Sequence, residues 1–379
     1  MLDAMRAKAD LLAVVRAALC EKAAPDAKAF SDPAGVCTLA KNNCVEALVC
    51  LTLRDGLSAL PPENAAALQK AFQLAVLREA AQQTFLTSLR ERLQAAGIDF
   101  LLLKGTHVKA LYPAPEMRFM VDMDVLVREP DVANAQAQLE ALGLQLHLDN
   151  GKDIIYMQKP FLTVELHRTL FQPDDPRYPF FLDVWARAVP VTGHEYKMSD
   201  TELYVYTLAH LAEHYTAAGS CFRPVMDLYL LEKKAAVDFA AAEARFSEMG
   251  LADFAGNVRA LCRVLFDGAA ETDTLRLMGN FILLGPPVRH AGEASAAAKT
   301  SHGRLRRLWH AAFPPLRHMR LRYPVLQKAP FLLPVFWAVR LVQYAFTKDR
   351  ALARKREALL HADKKSADIL AGIFKASGL

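Results

Sequence analysis

Two aspartates one residue apart, Asp122 and Asp124, stand in an otherwise apolar run from Val121 to Val127. In an extended strand side chains two apart share a face, so both carboxylates point one way while Val121, Met123 and Val125 point the other. Two anions held side by side repel each other unless a cation lies between them. Mg2+ or Mn2+ are the hard cations suited to such oxygen donors beside a phosphate-bearing substrate. A third acid, Glu165, sits between Val164 and Leu166 in a second apolar run. If the two runs are neighbouring strands, the carboxylates of Asp122, Asp124 and Glu165 form one cluster that can hold two ions about 4 Å apart. Such a pair activates an attacking oxygen and neutralises charge on a departing phosphate. The competing reading puts the aspartates on the wet face of an amphipathic strand and makes Glu165 an unrelated surface acid.

Other residues bear on the choice. Lys104-Gly105-Thr106 follows directly on the apolar run Asp99 to Leu103. A glycine there lets the backbone approach a phosphate, and the turn after it can aim N–H groups at the anion. Lys104 and Arg118, facing that turn, would supply the positive charge a triphosphate needs. His210-Leu-Ala-Glu213-His214 has the H-x-x-E-H spacing of inverted zinc peptidases, with Glu271 or Glu293 as the downstream ligand such a site requires. Its alternatives are helix packing, or a place on the acceptor side of a transferase site, for which His167, His210, His214, Arg223 and Asp227 are the candidates. His194-Glu195 lacks a second histidine at zinc spacing, because Met198 stands there, and reads as a surface loop.

The elements that must position these residues are legible in the apolar spacing. Residues 1–98 read as helical, with a long helix from Pro62 to Ala96 ended by Gly97 as its C-cap. Asp99 to Leu103 and Val121 to Val127 read as strands, and Val132 to Leu142 as a helix stopped by Gly143. Leu144 to Leu148 and Ile154 to Met157 flank Asp149-Asn-Gly151, a hairpin signal because both turn positions favour positive φ. Phe161 to His167 supplies a further strand, so Asp99 to Leu170 is a compact unit with a mixed sheet. Ser199-Asp-Thr-Glu202 has capping-box form and opens a helix from Leu203 to Ala218, and further helices follow through Pro224 to Leu283.

The expected fold is therefore α+β: a small mixed sheet flanked by helical N-terminal and C-terminal regions. Its divisions are a helical region 1–98, an α/β core 99–195, a helical domain 196–284, a linker 285–303 and a basic helical region 304–379. With 379 residues, 53% of them hydrophobic, the chain buries a sizeable core without metal or disulfide staples. Its six cysteines form no C-x-x-C pair and fit reduced thiols in a cytoplasmic setting. Charged residues interrupt the N-terminal apolar stretch, so no export signal is expected. Phe331 to Phe346 carries Pro334 and Arg340 and is short for a membrane span. The net charge of +5 hides an asymmetry, because residues 299–358 hold 14 Lys/Arg against two acids, leaving the rest of the chain at −7. That basic stretch is either a solvated helical surface or a patch for anionic lipid headgroups, with nucleic acid the weaker alternative. The aromatic stripe in Phe331 to Phe346 is correspondingly either core packing or a membrane face.

Leu102-Leu-Lys-Gly-Thr106, the run Arg118 to Val127 and Val164-Glu-Leu-His167 together resemble the nucleotidyltransferase superfamily that contains DNA polymerase β. The closer resemblance is to its uncharacterised bacterial branch of stand-alone proteins. It is strongest over Asp99 to Arg168 and continues weakly through Leu208 to His214, Arg223 to Leu230, Tyr323-Pro324 and Leu333 to Leu341. Here Gly105-Thr106 replaces the superfamily's Gly-Ser, and the gap before the D-x-D pair is longer. The resemblance implies a nucleotidyltransferase fold and transfer of an NMP group from an NTP to an acceptor it does not identify, whether small molecule, peptide or protein. It places the metal ligands on Asp122, Asp124 and Glu165.

Overall fold

The computed structural model describes residues 2–217, 222–287, 313, 316, 319, 323, 325–346 and 364–379. The chain divides into two compact units, one of residues 1–215, 220–285 and 377–379, the other of residues 216–219 and 286–376.

The first unit opens with helices α1 (Leu2–Leu19), α2 (Pro33–Asn42), α3 (Glu46–Thr52) and α4 (Pro62–Ala95). Asp32 caps α2 by accepting from the Gly35 N–H at 2.9 Å, and Pro33 takes the first helical position, where its missing N–H is harmless. Gly97 ends α4 with φ +68°, a left-handed conformation that a residue bearing Cβ adopts only with strain. Next come β1 (Phe100–Leu102), α5 (Lys104–Val108), β2 (Met123–Val127), α6 (Val132–Ala141), β3 (Gln145–Asp149), β4 (Asp153–Gln158) and β5 (Leu162–His167). The aspartate run is thus strand only from Met123, and Asp122 lies on the segment leading into it.

Two short strands extend the sheet, β6 (Val189–Thr192) and β7 (Glu195–Lys197), turning at Gly193-His194. Glu195 is buried there and pairs with Phe100, so only His194 of the expected surface loop belongs to a turn. Among the described residues the strands form one mixed sheet in the order β3-β4-β5-β2-β1-β7-β6. Parallel pairs β2–β5 and β1–β7 lie among antiparallel neighbours. The architecture is α+β with helical regions at both ends of the chain.

The sheet has two unlike faces. Met123, Val125 and Val127, with Val164, Leu166, Ile154 and Tyr156, pack under Phe85, Leu89 and Leu93 of α4 and Val132, Ala135 and Leu139 of α6. Each such aliphatic side chain contributes about 1.5–3 kcal/mol by leaving water. Strand alternation sends Asp124, Glu165 and His167 to the opposite face. Helices α7 (Asp200–Thr216) and α8 (Phe222–Lys234) carry side chains that meet this face, and α9 (Phe239–Glu248), α10 (Ala252–Cys262), a π-helical turn Arg263–Asp267 and α11 (Asp273–Leu284) complete the unit. The Ser199 hydroxyl accepts from the Glu202 N–H at 3.2 Å, the N-terminal cap that the sequence announces. Ser377 is fully buried, sharing a 2.8 Å hydrogen bond with Tyr215 and accepting from Asn257 through its carbonyl.

In the second unit the described helices are α12 (Val325–Lys328), α13 (Leu333–Phe346) and α14 (Lys364–Ala376). Most of the expected linker lies outside the described residues, Glu293 included. No described helix is long and apolar enough to cross a membrane. Cys20, Cys37, Cys44, Cys50 and Cys262 are free thiols, and Cys221 lies outside the described residues.

Candidate functional site

Parallel pairing of β2 with β5 places Asp124 directly beside Glu165, and two residues further Leu126 beside His167. Residues opposite each other in a ladder share a face, so the two acids stand shoulder to shoulder. On the far side of β5 the antiparallel strand β4 sets Asp153 opposite His167. Asp124, Glu165 and His167 each offer a ligand atom within 4.8 Å of the other two. Asp122 is not in that trio, although its charge is close enough to act on Glu165 and Lys104.

His167 is buried among acids. Its Nε2 lies 3.1 Å from Asp124 Oδ1 and 3.9 Å from Glu165 Oε2, and its Nδ1 lies 2.6 Å from Asp153 Oδ1, close but poorly aligned for a hydrogen bond. Burial opposes charge on the ring, but the contacts with Asp124 and Asp153 outweigh it and push the imidazole up to about 9. Burial likewise opposes charge on Asp124, and Lys104 and His167 together hold it below the usual carboxylate range. Glu165 is compensated less: burial first, then Asp124 and Asp122, push it up to about 7 against the lowering influence of His167. Asp122 is raised by burial and by Asp124. Carboxylates that crowd and lift one another are the environment a divalent cation relieves.

The donor set tests well against such an ion. Carboxylate oxygens from Asp124 and Glu165, with Asp122 nearby, suit Mg2+ or Mn2+, and an imidazole in the set favours Mn2+ over Mg2+. Asp153 on the ring nitrogen turned away from the acids is the outer partner that ligating histidines commonly carry.

The roof comes from α5 and α7. Lys104, at the start of α5, places Nζ 2.9 Å from His210 Nε2, and His210 Nε2 lies 3.3 Å from His214 Nε2. An ammonium only donates, so His210 Nε2 must accept from Lys104 and His214 Nε2 must be the donor of that pair. Burial and Lys104 keep His210 well below its ordinary value, and the same two causes bring His214 down to about 4, so both rings are neutral near pH 7. Lys104 Nζ also lies 5.5 Å from the centroid of Tyr206, a buried neighbour on α7. Burial lowers the Lys104 ammonium, and Asp124 and Asp122 oppose that shift. Lys104 thus contacts His210 and acts on the acids through its charge.

The H-x-x-E-H histidines do not gather a zinc ligand set. The lone pair of His210 that zinc would take is accepting from Lys104. Glu271 is exposed beside Lys8, and among the described residues the metal-compatible cluster is the one on β2 and β5.

Other expected site residues are placed differently. Arg118 and Asp227 are both buried and pair with each other, Nε to Oδ1 at 2.9 Å and Nη2 to Oδ2 at 2.7 Å, while the Tyr112 hydroxyl donates to Asp227 at 2.8 Å. Asp227 outweighs burial and raises the Arg118 guanidinium, fixing its charge. Arg223, at the start of α8, donates to the Phe119 carbonyl at 2.8 Å and acts on Asp122 through its charge. Gly105 is buried, and a Cβ there would meet Met120 Sδ at 2.7 Å, so the absent side chain makes room for Met120. Thr106 is half-buried in the first turn of α5.

Asp153 and Tyr206 escape the sequence reading. The signal for Asp153 is its place: it opens the strand after the Asn-Gly turn, where an antiparallel hairpin returning to Phe161–His167 brings it opposite His167.

No curated protein and no solved structure matches the chain. A family model does, over residues 31–267, a stretch that contains the sheet, the acids of β2 and β5, Lys104 and the helices from α2 to α10. With more than half of its length so matched, the chain belongs to the family described as uncharacterised nucleotidyltransferase.

Proposed function

We propose that this chain transfers a nucleotidyl group from a nucleoside triphosphate to an acceptor, using Asp122, Asp124 and Glu165 as the acids that hold Mg2+ or Mn2+. The observation that carries the reading is the side-by-side register of Asp124 and Glu165 on adjacent parallel strands, with the charge of Lys104, on α5, acting on Asp124 and Asp122. Membership of a nucleotidyltransferase family supports the reaction class. Divalent ions held there would lower the barrier by activating the nucleophile and neutralising charge on the leaving pyrophosphate.

The chain's own groups divide the remaining work. Lys104, with the backbone of Gly105 and Thr106, would meet the triphosphate. Lys104 is held in place by His210, so its ammonium needs little reorganisation when phosphate arrives. Arg118 holds α5 rather than phosphate: its guanidinium is tied to Asp227 and its Nη1 lies 3.5 Å from the Gly105 carbonyl. The acceptor's oxygen or nitrogen attacks the α-phosphorus in line, the bond from that phosphorus to the bridging oxygen breaks, and pyrophosphate leaves. Glu165 would double as the base that takes the proton the acceptor loses. His214 and Arg223 line the approach from which an acceptor would come.

Titration calorimetry with Mg-ATP, Mg-GTP, Mg-CTP and Mg-UTP tests the assignment. At least one should bind the wild-type chain and lose at least about tenfold in affinity in Asp122→Asn/Asp124→Asn. Equal binding to both proteins would place the nucleotide elsewhere. A screen of labelled triphosphates against acceptor pools then identifies the transferred group.

A further inference from the structure

The helix α13 and the 3₁₀ turn Pro330–Leu332 before it present a surface of unusual composition. Between residues 330 and 340 the exposed residues are Pro330, Phe331, Pro334, Val335, Ala338 and Val339. Their spacing of three and four places them on a single helical face. That face contains no polar side chain, and Phe331 is 78% and Val335 55% exposed. The other side of the helix is already engaged: Phe336 stacks on Tyr323 at 4.6 Å and Trp337 meets Phe313 edge-on at 5.3 Å. The aromatic stripe therefore splits into a packed half and an open half.

An apolar helical face left in water is a binding surface. Its charge setting identifies the partner. The surrounding segment, residues 299–358, carries 14 Lys/Arg against two acids. A nucleic acid would reward those cations but not a bare stripe of valine, proline and phenylalanine. A second copy of the chain would bring the same cations against one another. A bilayer surface rich in anionic headgroups satisfies both features, because the cations meet phosphates while the apolar residues enter the acyl boundary.

We propose that the apolar face of α13, Phe331 to Val339, docks this protein on anionic membrane surfaces, lying in the interface. With 14 residues α13 is about 21 Å long, short of the hydrocarbon core, so it lies on the bilayer and does not cross it. The proposal is independent of the nucleotide chemistry on the sheet.

Flotation of the full chain with vesicles tests it. Vesicles of about three parts phosphatidylcholine to one part phosphatidylserine should carry the protein upward, and phosphatidylcholine alone should carry at least about tenfold less. Raising the salt should release it. Val335→Glu/Val339→Glu alters only exposed positions, and its far-UV circular dichroism and melting should match wild type. Its vesicle-bound fraction should fall at least about tenfold. Absence of flotation with either vesicle, equal flotation with both, or undiminished flotation of the folded double variant would overturn the proposal. So would a wild-type dimer, seen by light scattering, that the double variant dissolves while neither protein floats. Retention on duplex DNA in place of vesicles would overturn it in favour of nucleic acid. Should the double variant not fold, the vesicle-composition and salt arms on the wild-type chain decide.

Discussion

At the scale of single residues, the acids of the sheet were legible because period-two alternation needs no knowledge of the rest of the chain. Asp124 and Glu165 each sit between apolar neighbours, and burial of those neighbours forces both carboxylates to one face. The place of His167 was not legible, since it follows from which strands pair and in what register. Asp153, opposite His167, carries a testable role as the outer partner of that ring. Asp153→Asn should weaken Mn2+ binding about 10- to 100-fold, read by electron paramagnetic resonance of free Mn2+, whereas Asp149→Asn should leave it unchanged. Arg118 and Asp227 show the opposite outcome, two residues of catalytic type whose geometry is that of a buried clamp. Truncation of Asp227 to alanine strands the guanidinium and should cost about 3–5 kcal/mol in urea denaturation. Gly105→Ala should cost about 1–3 kcal/mol by driving Cβ into Met120, and in a Met120→Ala background the same substitution should cost less.

At the scale of elements, the long helices and the hairpin were readable from spacing, caps and the Asn-Gly turn. The strands β6 and β7 were not, because they are short, β6 is exposed and carries Pro190, and the pair joins the sheet through β1, which is distant in sequence. One residue joins these distant pieces. Asp99, just before β1, lies 2.9 Å from His194 Nδ1 in the β6–β7 turn and accepts from Arg128 Nε, just after β2, at 3.1 Å. The His194 contact, aided by Arg128, holds the Asp99 carboxyl below its ordinary range. The native state therefore releases this proton more readily than the unfolded chain. Its stabilisation is complete above the ordinary carboxylate value near 4 and disappears as pH falls through the depressed native value. The stability difference between wild type and Asp99→Asn should accordingly be largest at neutral pH and shrink toward pH 3. A gap that stays constant across that range would remove Asp99 from this role.

At the scale of the whole molecule, a ligand that binds only the folded first unit must stabilise it. A cognate Mg-NTP at about a hundred times its dissociation constant should add about 2.7 kcal/mol. Differential scanning fluorimetry should register a rise on the order of 5 °C in wild type and none in Asp124→Asn. The charge asymmetry was legible in the sequence; the division of the α13 stripe into a packed and an open half was not, since both halves are equally apolar.

The burial of Ser377 against Tyr215 and Asn257 has a topological consequence. The chain leaves the first unit after Gly285 and rejoins it at Ser377, so the basic stretch between is anchored at both ends. Closing so long an excursion adds little entropy beyond that of a shorter one. A bulky side chain in place of Ser377 would therefore unseat one end of that excursion while the other stays attached at Gly285.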